Sequence, residues 1–157
     1  MENATKALII AAEVLIGVMI LSLAVYLFVT FGQTAKEVDE RNAETQLLQF
    51  NEQYATYLGR KDLTIYDVIS ITNKAKENNQ VYENNENDEN YIVVNINGNI
   101  NGAAQRDLQK KTEEQLNELI LNEQTGITGN GLPKFTCTDI KYSEITRKVI
   151  LIEFEKN

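Results

Sequence analysis

Residues 7–31, ALIIAAEVLIGVMILSLAVYLFVTF, are apolar for about 25 positions and carry one charge, Glu13. A helix rises about 1.5 Å per residue, so roughly 20 residues cross a hydrocarbon layer about 30 Å thick. The run is long enough to span a bilayer with some tilt. A helix apolar on every face does not belong on the surface of a soluble domain. The sequence therefore predicts a membrane helix over residues 7–31, preceded by a cytoplasmic tail, 1–6. About 125 residues remain, enough for one small domain.

The partner of this helix is the lipid bilayer. The formal net charge is −8, and almost all of it lies after the span. An acidic domain excludes nucleic acid as a partner, because phosphate binding needs a basic stripe. It also opposes docking of the soluble part on anionic lipid. Lys6 and the terminal amine flank the span on one side, Lys36 and Arg41 on the other, so the positive-inside count nearly ties. A short tail followed at once by the first apolar helix acts as a signal anchor, which puts the C-terminal domain on the extracytoplasmic side. The alternative is cleavage after Ser22-Leu23-Ala24, whose small residues have signal-peptidase spacing. The run stays apolar through Val25–Phe31, where signal peptides turn polar.

Glu13 lies about 9 Å along the helix axis from Ala7. A carboxylate in hydrocarbon costs a few kcal/mol, relieved by protonation, by snorkelling to the interface, or by pairing with another chain. Gly17 and Ala24 share roughly the same helical face, and small residues let helices approach closely. Glu13, Gly17 and Ala24 are thus the candidate residues for self-association in the membrane. An apolar N-terminal helix with one early glutamate, continuing into an amphipathic helix and a small α/β head, resembles the layout of type IV pilins and pseudopilins. The resemblance implies that Glu13 pairs with the N-terminal amine of a neighbouring subunit during assembly. The start ATKALIIAAEVLIGVMILSL also resembles a group of bacterial single-pass membrane proteins.

After Gly32, residues 33–58 contain neither proline nor glycine and are dominated by good helix formers. Ala43, Leu47, Phe50, Tyr54 and Tyr57 recur at spacings of four, three, four and three, the seam of an amphipathic stalk helix. The seam is little more than two heptads long, which favours packing on the chain's own head over a free coiled coil. Gly59 is the expected stop, and Gly32 the expected place for any bend.

The head, 59–157, reads as helix, strand, helix, strand, strand. Residues 64–75 form a short helix with Ile65, Val68, Ile69 and Thr72 on one face and Thr64-x-x-Asp67 as its cap. Residues 76–90, rich in Asn and Glu, read as an exposed loop. Residues 91–96 read as a strand with Ile92, Val94 and Ile96 on one face. Asn97-Gly98 and Asn101-Gly102 offer turn chemistry, without a second strand at once. A helix is expected over 104–124, burying Leu108, Thr112, Leu116, Leu119 and Ile120. Residues 135–142 and 148–154 read as two strands, the second apolar on both faces and so central. The predicted class is α+β: a long N-terminal helix and a small, mostly antiparallel three-stranded sheet packed by helices.

No catalytic site, cofactor or metal is expected. Histidine, the commonest general base and metal ligand, is absent. Cys137 is the one cysteine and falls in a strand pattern, where a small buried apolar residue is expected. Glu83, Glu86, Asp88 and Glu89 lack the ordered spacing and central glycine of a calcium loop. The glycine-rich stretch 126–133 lacks the lysine and hydroxyl register of a phosphate loop. The expected function is structural or assembly-based; the alternative is a monomeric, membrane-anchored binding module.

Overall fold

The computed structural model describes residues 2–100, 103–125 and 133–157. The glycine-rich stretch lies outside them up to residue 132, as does Asn101-Gly102. The chain separates into two units, Met1–Gln46 and Leu47–Asn157. Helix α1, Glu2–Ala55, supplies all the described residues of the first and the opening of the second, and it runs through Gly32 unbroken.

In the second unit, residues from α1 enter the core. Tyr54 is buried, with Phe50 and Tyr57 packed around it. The Phe50 and Tyr54 rings meet edge to face, 5.6 Å between centroids. The helix stops at Ala55, three residues before the expected end, because the following backbone pairs with a strand edge. Gly59 adopts φ +76° and donates its N–H to the Cys137 carbonyl at 2.9 Å. Leu63 and Phe135 exchange hydrogen bonds in both directions, at 3.2 and 2.7 Å.

Helix α2, Ile65–Val81, begins on the expected capping box. The Thr64 side chain accepts from the Asp67 N–H, and the Asp67 carboxylate accepts from the Thr64 N–H at 2.7 Å. It buries Ile65, Val68, Ile71, Thr72, Ala75 and Asn79, with Ile69 only partly covered. It therefore runs six residues past the expected end, into the stretch read as loop. Asn79 is the reason: although polar, it continues the buried face and bonds the next strand.

The sheet has four strands, not three: β1 (Val93–Ile100), β2 (Ala103–Gln105), β3 (Phe135–Tyr142) and β4 (Val149–Lys156). Their order is β2-β1-β4-β3. The β1–β2 and β3–β4 pairs are antiparallel, whereas β1 and β4 are parallel, with Val93 opposite Leu151 and Ile96 opposite Phe154. The sheet is thus mixed. β4 is central, as its two apolar faces suggest. β2 closes a hairpin on β1 directly, with Ile100 opposite Ala103, where the sequence offered no second strand.

The helix expected over 104–124 is broken in two. A 3₁₀ turn covers Leu108–Lys110, and α3 runs only from Glu113 to Thr125. Asp107, at φ +52°, turns the chain, and its N–H bonds the Asn95 side chain at 3.0 Å. Thr112 is exposed rather than buried, because it caps α3. Its hydroxyl accepts from Gln115 N–H at 3.3 Å, and the Gln115 side chain accepts from Thr112 N–H at 3.0 Å. One core joins Val94, Ile96, Ile152 and Phe154 of the sheet to Val68 and Ile71 of α2 and Leu116 and Leu119 of α3. The α+β class stands, with helices on one sheet face.

Candidate functional site

The candidate site built from the sequence is the apolar part of α1. Every residue of it is exposed, Leu8 to 75% and Phe28 to 85%. The hydroxyls of Ser22 and Thr30 are satisfied by their own helix. Ser22 donates to the Val18 carbonyl at 2.8 Å and Thr30 to that of Tyr26 at 2.9 Å. This one-turn back-bonding suits these two hydroxyls to a non-aqueous surrounding. α1 is one helix long and apolar enough to cross a membrane.

Glu13, Gly17 and Ala24 all lie on this exposed helix. Lys6 is paired with Glu2 at 3.1 Å, one turn away, on the N-terminal side of the apolar run. A Cβ added at Gly17 would meet nothing within 4 Å, so no close approach inside the chain calls for glycine there. Glycine costs about 1 kcal/mol relative to alanine in a helix.

The stalk seam divides between the units. Ala43 is exposed in the first, whereas Leu47, Phe50 and Tyr57 are half-buried and Tyr54 fully buried in the second. Lys148 reinforces this packing: its ammonium lies 5.1 Å from the Phe50 ring centre and 5.4 Å from that of Tyr82, and donates to the Tyr82 hydroxyl at 3.0 Å.

The acidic loop is largely exposed, as expected, and three of its carboxylates have partners within the chain. Glu86 pairs with Lys110 at 2.8 Å and holds its ammonium pKa above the usual value, chiefly through that hydrogen bond. Asp88 accepts from the Asn90 N–H at 2.8 Å. Glu89 accepts from Ser143 at 2.8 Å, and its carbonyl accepts from Thr146. Among the described residues no group of three or more His, Cys, Asp or Glu is placed to hold a metal. Cys137 is buried in β3, and burial, with the nearby Asp139 charge second, pushes its thiol up to about 11. A thiol so protonated at neutral pH is a poor nucleophile.

Sequence reasoning missed the polar side chains that complete the sheet: Asn51, Asn79, Gln109 and Ser143. For Asn79 a signal existed, since 65, 68, 72, 75 and 79 continue one helical stripe. For Thr112 the Thr-x-x-Gln capping signature was present. Asn51 and Gln109 carry no local signal, because their partners, Val149 and Val94, are distant in the chain. Compared with protein-family models, curated proteins and solved structures, the chain matches none of them.

Proposed function

We propose that this chain is a non-enzymatic single-pass membrane protein. In this reading α1 crosses the bilayer over residues 7–31 and the C-terminal domain lies on the extracytoplasmic side. Copies associate in the membrane through Glu13, Gly17 and Ala24, in the manner of the pilin-like layout. One observation carries the reading: the apolar run is exposed on all faces, and its serine and threonine, Ser22 and Thr30, are already bonded to their own helix. In water such a surface would aggregate; in lipid it is at rest. Glu13 is then the one carboxyl in the span, and a second helix approaching at Gly17 offers it relief from hydrocarbon.

The test is crosslinking in membranes isolated from cells making the full chain. The protein is expected in the alkali-resistant pellet, with a ladder of crosslinked species that collapses in Glu13→Gln or Gly17→Leu. A pelleted protein without a ladder overturns assembly and favours the monomeric binding module. Unprocessed protein in the supernatant overturns the anchor itself.

A further inference from the structure

We draw no further inference here: the strongest candidate, the face of the sheet away from the helices, where Asp139 of β3 lies opposite Glu153 of β4 beside a groove lined by Val93, Leu151, Glu86 and Glu89, carries nothing, because Glu86, Glu89 and Asp139 already have partners within the chain and nothing in the structure shows what covers that face.

Discussion

Asn79 and Ile92 hold each other through two hydrogen bonds: the amide Nδ2 donates to the Ile92 carbonyl at 2.9 Å, and the Ile92 N–H donates to Oδ1 at 2.8 Å. A helix side chain thus supplies what a neighbouring strand would, at the point where β1 begins and β2 does not reach. Gln109 serves the next edge group in the same way, accepting from Val94 N–H at 2.9 Å. The pattern repeats at the start of β4. Asn51 of α1 donates to the Arg147 carbonyl at 2.8 Å and accepts from Val149 N–H at 3.0 Å. The two parallel inner strands therefore each begin under an asparagine from a helix.

Asn79→Ala leaves two buried backbone groups without partners. The expected loss is on the order of 2–6 kcal/mol, since each of the two orphaned groups costs about 1–3. Asn79→Asp should lose nearly as much, because a carboxylate cannot donate to the Ile92 carbonyl. Urea unfolding of the full-length protein in detergent measures both; a loss below about 0.5 kcal/mol, the range of an ordinary surface change, contradicts the clamp.

Asn51→Ala should act more locally. The β3–β4 turn keeps Ser143, whose hydroxyl accepts from the Ile145 and Thr146 N–H groups at 3.1 Å. Global stability should fall by about 1–2 kcal/mol, the cost of one exposed and one part-buried bond. Hydrogen exchange at the Val149 amide should accelerate, while that at Ile152 changes only in proportion to global stability.

Thr64→Ala removes the hydroxyl half of the α2 cap and should cost about 1 kcal/mol. Thr112→Ala should cost a similar amount or less at the more exposed start of α3. Thr64→Ser keeps the acceptor and should restore most of the loss. Thermal midpoints of the three variants make the comparison; equal midpoints for Thr64→Ala and Thr64→Ser would show that the hydroxyl bond contributes nothing.

Alkaline pH should unfold the domain. Burial, and secondarily Glu77, raises the Tyr54 hydroxyl from 10.0 to about 12, and burial raises the Cys137 thiol from 9.0 to about 11. Both groups hold their proton more tightly folded than unfolded. Their contribution is therefore complete below pH 9 and is lost as pH rises from about 9 to about 12. The thermal midpoint should fall across that window, and Tyr54→Phe should flatten the upper part of the fall. An unchanged slope in Tyr54→Phe would mean that Tyr54 does not titrate with unfolding.

Local physics made several features legible in the chain itself. The apolar run of α1, the capped start of α2 at Thr64, and β3 at Phe135–Tyr142 all follow from periodicity, composition and short-range capping. Tertiary contacts decided the rest. Whether Asn79 ends a helix or extends it depends on Ile92, thirteen residues away. Whether residues 104–124 form one helix depends on Asn95 and Val94, which draw Asp107 and Gln109 to the sheet edge. The parallel pairing of β1 with β4 joins segments separated by two strands, a 3₁₀ turn and a helix, and no local pattern encodes it. The stalk seam is the clearest case. Spacing marks Phe50 and Tyr54 as a surface to be covered, and the seam's short length favours the chain's own head; the folded chain shows which core residues cover it. Helical and strand periods are properties of neighbouring residues, whereas burial depends on which distant segment supplies the other surface.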